Sequence, residues 1–256
     1  MSIFDAAILG IVEGITEFLP ISSTGHLILT SELLHITQSE YLKSFEIAIQ
    51  LGAILSVIVL YFKKFLQIEL LKKLFVAFLP TAVIGLLLYK VLKTYLLGND
   101  IVVLTSLFLG GIALIGFELL HRKPLEATAD LENISYRQSF LIGLCQSVAI
   151  IPGVSRSAAT IIGGLFLGLE RKTIVEFSFL LAVPTMLAAT GLDLIKNAGS
   201  FSASEFGTLA VGFVVSFIVA LGSIAFLLRF IQKNTFIPFG IYRIVAALLF
   251  FFFVMQ

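Results

Sequence analysis

Six stretches of the chain, residues 45–62, 74–97, 101–120, 177–195, 207–228 and 236–254, are each apolar over close to the length that crosses a bilayer as a helix. A segment in hydrocarbon has no water for its backbone N–H and C=O groups and must satisfy them internally, so these stretches are read as helices. Composition agrees. With 59% hydrophobic residues, 13% charged residues and a mean hydropathy of +1.07, the chain lies far outside the soluble globular range. The net charge of +1 leaves no basic patch for nucleic acid and no acidic tail. Cys145 is the one cysteine, so no disulfide forms within the chain, and it reads as a small apolar filler. Residues 1–12 lack a basic leader region, carry Asp5 and run into Glu13 rather than a small-residue cleavage site, so they are expected to remain in the mature protein.

Two further apolar segments, residues 3–33 and 139–169, are too interrupted to be single spans. The first holds EGITEFLPISSTGH, from Glu13 to His26; the second holds QSVAIIPGVSRSAAT, from Gln146 to Thr160. Each reads as two half-helices joined by a broken middle, a backbone tolerated at membrane depth only where protein buries it or a cavity solvates it. Laying Gly10, Glu13 and Ser22 over Gly143, Gln146 and Ser155 preserves the spacing, with the proline slipped by one. The expected fold is therefore an all-α polytopic membrane protein with an inverted-topology repeat, each half a re-entrant broken hairpin plus three transmembrane helices. The halves are expected at about residues 1–122 and 137–256, in one membrane domain. Gly98-Asn99-Asp100 marks a turn between two spans, and residues 121–138 form the longest polar connector.

The positive-inside rule sets the orientation. If Lys63, Lys64, Lys72 and Lys73 are cytoplasmic, so are Arg122, Lys123, Arg137, Arg171, Lys172, Arg229 and Lys233; Lys43, Lys90, Lys93 and Lys196 fall outside. The first hairpin then opens to the outer face.

Glu13 and Glu17, four residues apart, project from one helix face. A carboxylate at the centre of a membrane helix costs about 2.5–3.5 kcal/mol on insertion scales, so a cation is expected beside the pair. A divalent metal shared with a phosphate suits one or two carboxylates, whereas a protonated packing pair is the plainer reading. Ser22, Ser23, Thr24 and His26 follow Pro20 at the start of a half-helix, whose free N–H groups and dipole attract anions. N-capping and small-residue packing compete for the serines and threonine. In the second island, Ser155, Arg156, Ser157 and Thr160 repeat the design with an arginine whose planar fork fits phosphate oxygens. An ion pair of Arg156 with Glu13 or Glu17 is the competing role. Gln50, Glu176, Asp193 and Arg243 lie in or near spans as candidate cavity residues, and His35, His121, Lys196 and Glu205 are explained by solvation.

These motifs, with FEIAIQLGAI, EFSFLLAVP and FIPFGIYR, resemble the bacterial undecaprenyl-diphosphate phosphatases of the bacitracin-resistance family along essentially the whole chain. The resemblance implies hydrolysis of undecaprenyl diphosphate to undecaprenyl phosphate and inorganic phosphate. It implies recycling of the lipid carrier of cell-wall synthesis at the outer face of the cytoplasmic membrane, and a divalent cation, magnesium or calcium. By position, Glu13 and Glu17 are the family's acidic pair and metal ligands, and Ser23 and His26 its serine and histidine. Ser155, Arg156, Ser157 and Thr160 are its second motif. The type-2 phosphatidic acid phosphatases are excluded, because no KxxxxxxRP block precedes these motifs and no histidine follows Arg156.

The expected mechanism places Ser23 as nucleophile, or a water in its stead. His26 is its acid or base, Arg156 clamps phosphate beside Glu17, and Ser22, Thr24, Ser155, Ser157 and Thr160 bind phosphate oxygens. The partners are the diphosphate lipid and the membrane, and the reading admits a homodimer. A transporter or flippase for a polyprenyl phosphate is the alternative, since fold alone does not decide function.

Overall fold

The structure, a computed structural model, describes residues 1–37, 39–91, 95–96, 99–121, 127–197 and 205–254. Gly98, Lys93, Arg122, Lys123 and Glu126, and the side chains of Lys90, Asp193 and Lys196, lie outside the described residues, and with them the expectations placed there.

The described secondary structure is helical. The first broken segment becomes α1 (Ile3–Thr16) and α2 (Ser23–Leu33), followed by α3 (Glu40–Leu60), α4 (Ile68–Val91) and α5 (Asp100–Leu120). The second becomes α6 (Tyr136–Ser147) and α7 (Arg156–Phe166), followed by α8 (Arg171–Asn197), α9 (Phe206–Phe230) and α10 (Ile237–Val254). Five of these are long and apolar enough to cross a membrane, and α10 supplies a shorter apolar helix over Ile237–Phe252. The chain is a multi-pass membrane protein.

The local sequence explains the breaks. Ser2 and Ser135 open α1 and α6 with reciprocal capping boxes to Asp5 and Gln138. Asn99 of the expected turn caps α5. Prolines 80 and 184 lie inside α4 and α8, which continue through them. Helices α3, α4 and α8 start well before their apolar runs. Helix α8 begins at Arg171, whose guanidinium pairs with Glu118 and lies over the Phe236 ring, so its charge is satisfied at the helix end.

The two halves pack by the same rule. Helix α1 lies along α9 and α6 along α4; α3 meets α8 and α5 meets α10. Exchanging the halves maps each pairing onto another or onto itself. The matched glycines serve the same purpose in both copies. A Cβ at Gly10 would strike the Gly212 carbonyl of α9, and one at Gly143 would strike the Ala77 carbonyl of α4. Only glycine lets those backbones meet.

Contacts sort the connectors into two rims. At one, Gln67 and Lys73 bond to Glu132, Tyr136 bonds to Glu69, and Arg171 reaches Glu118 and the Asn234 carbonyl. At the other, Met1, Asp5, His35 and Tyr41 gather near Glu205. The described basic residues that the sequence assigns to one side, Lys63 to Lys73 and Arg171, thus sit at one rim. The α1–α2 hairpin has its open end at the second rim, and the α6–α7 hairpin at the basic rim.

One pair of helices is sealed. A Cβ at Gly52 of α3 would collide with Ser216 and the Phe213 carbonyl of α9, and Ser216 donates to the Ile49 carbonyl at 2.7 Å. The exchange-related pair, α4 and α8, instead flanks a cavity.

Candidate active site

The hairpin tips meet. Ser22 and Ser155 cap α2 and α7 in the same unusual backbone conformation, φ 73° and 76°, each accepting a bond from the N–H three residues on. A non-glycine residue held at positive φ costs about 1–3 kcal/mol and persists only where its surroundings dictate it, most often at functional sites. The repeated geometry aims two helix N-termini into one region, the arrangement that receives anions. Ser157 ties the tips together, its Oγ donating to the Phe18 carbonyl at 2.8 Å.

Between them lies a cavity of about 580 Å³. Glu17, Ser22, Ser23, Thr24, Ser155 and Arg156 form its polar end, and Phe78, Ala82, Leu86, Met186 and Ala189 line its apolar flank between α4 and α8. Ser23 Oγ donates to Glu17 Oε2 at 2.6 Å, while Arg156 Nη2 meets Glu17 Oε1 at 3.1 Å. Arg156 Nη1 donates to the Ser178 carbonyl at 2.8 Å, and its Nε is buried without a partner. Both partners of the ion pair are largely buried. Removing one member of such a pair leaves an uncompensated charge, a loss of about 3–5 kcal/mol.

Glu13 is fully buried, and neither carboxylate oxygen has a hydrogen-bond partner. Glu17, Glu46 and Arg156 are the charged groups around it. No group of three or more His, Cys, Asp or Glu residues suited to a metal occurs among the described residues. The fit to a divalent cation therefore rests on two carboxylates, one of them with orphaned oxygens, completed by substrate phosphate and water, and that donor set is the one magnesium uses.

Four predicted site residues sit behind the cavity wall rather than on it: Glu13, His26, Ser157 and Thr160. His26 is not brought to Ser23. Its Nδ1 lies 2.7 Å from the Ser22 carbonyl and its Nε2 2.8 Å from the Tyr242 hydroxyl, with the two rings stacked. A carbonyl only accepts, so Nδ1 carries the proton and a neutral ring accepts from Tyr242 at Nε2. Ser157 is spent on Phe18. Thr160 bonds to the carbonyls of Arg156 and Ser157 and to Ser178 Oγ, because a fully buried hydroxyl on a helix turns back to the preceding turn.

Sequence reasoning placed Gln50, Glu176 and Arg243 as cavity candidates, and none lines it. Arg243 does something else: it is fully buried and donates to five backbone carbonyls around the hairpin tips. Tyr242 and Glu46 were passed over. The signal for Tyr242 and Arg243 lay in FIPFGIYR, where a polar pair interrupts an otherwise apolar span.

The fold and site together define a multi-pass helical membrane protein with a polar cavity where two broken hairpins meet. Comparison with known proteins carries this further. The family described as Bacitracin resistance protein BacA matches residues 6–249, and the chain belongs to that family. It is 54% identical to the undecaprenyl-diphosphatase of Sulfurihydrogenibium sp. (strain YO3AOP1), covering 98% of this chain and 99% of the relative. It is 52% identical to the undecaprenyl-diphosphatase of Aquifex aeolicus, covering 98% of each, and 50% identical to that of Wolinella succinogenes, covering 99% and 98%.

Proposed function

We propose that the chain hydrolyses undecaprenyl diphosphate to undecaprenyl phosphate and inorganic phosphate in the bacterial cytoplasmic membrane, recycling a cell-wall lipid carrier and conferring bacitracin resistance. One observation carries the reading: a single cavity joins two anion-receiving helix N-termini to an apolar flank, the shape of a lipid diphosphate. The names of the relatives support it. The halves are an inverted-topology repeat whose hairpins enter from opposite faces. The cavity walls on α4 and α8 lie largely beyond Pro80 and Pro184 from the basic rim, so with that rim cytoplasmic the site opens outward.

The diphosphate takes the polar end and the isoprenoid leaves between α4 and α8. Phosphate oxygens draw Arg156 away from Glu17, which frees the carboxylate to act on Ser23. Ser23 Oγ attacks the terminal phosphorus and its proton passes to Glu17 Oε2. The Oγ–P bond forms, the bridging P–O bond breaks, and undecaprenyl phosphate departs. Water then cleaves the phosphoserine, restoring Ser23 and releasing inorganic phosphate. Arg156 and the N–H groups of α2 and α7 hold the charge on the transferring phosphoryl group, where most of the catalysis of such reactions lies. His26 braces the Ser22 carbonyl and so holds that cap in place. Glu13 and Glu17 would hold a divalent cation, which when bound neutralises phosphate oxygens.

Phosphate release by purified protein in detergent tests the reading, because micelles offer no two compartments. A polyprenyl phosphate transporter would release none.

A further inference from the structure

Helix α10 contributes no residue to the cavity wall, yet it sends a guanidinium to the place where the hairpin tips converge. Arginine has five N–H donors in a fixed fork, and Arg243 uses all five. Nε donates to the Leu107 carbonyl at 3.2 Å; Nη1 donates to Pro20 at 3.2 Å and Val154 at 2.9 Å; Nη2 donates to Ser106 at 3.0 Å and Gly153 at 2.9 Å. The Pro20 carbonyl lies just ahead of Ser22, and those of Gly153 and Val154 just ahead of Ser155. Those of Ser106 and Leu107 belong to α5, which makes them a fixed post. One side chain therefore bonds to the backbone entering each half-helix and to a spanning helix beside them. Helix α5 makes room for it at Gly110, where a Cβ would collide with the guanidinium.

We propose that Arg243 is the positioning residue that sets the separation and aim of the α2 and α7 N-termini, so that both engage one diphosphate. The inference rests on the phosphatase reading above. Arg243 touches no cavity surface, so it acts through Ser22, Ser23, Ser155 and Arg156. None of the hydrogen bonds or ion pairs of the described residues gives it a carboxylate, and five carbonyl dipoles hold its charge behind both tips. Lysine has three donors on a flexible stem and leaves at least two of the five carbonyls without a partner.

The test compares the full-length parent with Arg243→Lys and Gly110→Ala, purified in detergent with magnesium and assayed for phosphate release from undecaprenyl diphosphate. Gly110→Ala keeps the arginine and pushes its guanidinium aside. A misplacement of about 1 Å at a reacting centre costs about 10²-fold, so each folded variant should lose about 10² in kcat. KM should move by less than about threefold, since the phosphate donors remain but are misaimed. Turnover within about twofold of the parent in a folded variant overturns the proposal, and so does a rise in KM alone. If one variant does not fold, the other decides; failure of both to fold gives Arg243 a structural role and also overturns it. A parent without activity sinks the phosphatase reading itself, a result distinct from an active parent matched by its variants.

Discussion

Glu17 and Arg156 stand 139 positions apart in the chain and 3.1 Å apart in space, joining the first hairpin to the second. The pair holds two charges that hydrocarbon would otherwise expel, and in the proposed reaction substrate separates them. Arg156→Ala strands Glu17, so the variant should be destabilised by about 3–5 kcal/mol in unfolding measurements. Arg156→Lys keeps the charge and the fold but loses the planar fork, and kcat should fall by about 10³–10⁵. Near-parental turnover by a well-folded lysine variant would remove the clamp role.

Ser23 should carry phosphate during turnover. Rapid acid quenching with substrate labelled at the terminal phosphate should yield phosphoserine at position 23, and Ser23→Ala should lose about 10³-fold or more in kcat. An active parent that never takes up label would assign the attack to water.

Glu13 separates the metal from the fold. At about 100 times its dissociation constant, magnesium should stabilise the parent by about 2.7 kcal/mol. Glu13→Gln should lose most of that shift, yet in chelator it should unfold no earlier than the parent, because the carboxylate it replaces makes no hydrogen bond. An undiminished magnesium shift in Glu13→Gln would leave the carboxylate without its proposed ligand role.

Orientation can be read by labelling in a Cys145→Ala background. A cysteine at Thr37, exposed beside the open end of the first hairpin, should react with an impermeant thiol reagent in intact cells. One at Asp130, exposed at the basic rim, should react only after permeabilisation. The reverse pattern would place the cavity on the cytoplasmic side.

The apolar flank predicts a chain-length effect. Ala189→Trp narrows the gap between α4 and α8, so KM for undecaprenyl diphosphate should rise while that for a farnesyl analogue changes little. Equal effects on both would put the isoprenoid elsewhere.

Much of this was legible because hydrocarbon is a strict solvent. The spans follow from apolar length, and the hairpins from Pro20 and Pro152 breaking runs too polar to cross. The matched spacing of Gly10, Glu13 and Ser22 with Gly143, Gln146 and Ser155 is the sequence ground for the repeat reading, and Ser22 and Ser155 share one backbone geometry. Partnership was harder to read. Ser23 lies three positions from His26 in the chain, which invites pairing them, but residues three apart on a helix face the same side without their polar atoms having to meet. Glu17 reaches Ser23 only because the chain folds back at Phe18 to Ser22. Ser157 and Thr160 look like ligands in a polar motif, and their use in tying tips and turns depends on which carbonyls the fold leaves bare. Arg243, 223 residues from Pro20 at the first tip and 89 from Val154 at the second, acquires its place only when α10 docks on α5.

The closed seam at Gly52 and Ser216 has a bearing on traffic in the plane of the membrane. A lipid approaching along α3 and α9 meets a wall, whereas the flank between α4 and α8 opens onto the cavity. A neighbouring protein packed against α3 and α9 leaves the cavity clear, whereas one packed against α4 and α8 covers the flank by which the proposed substrate would enter.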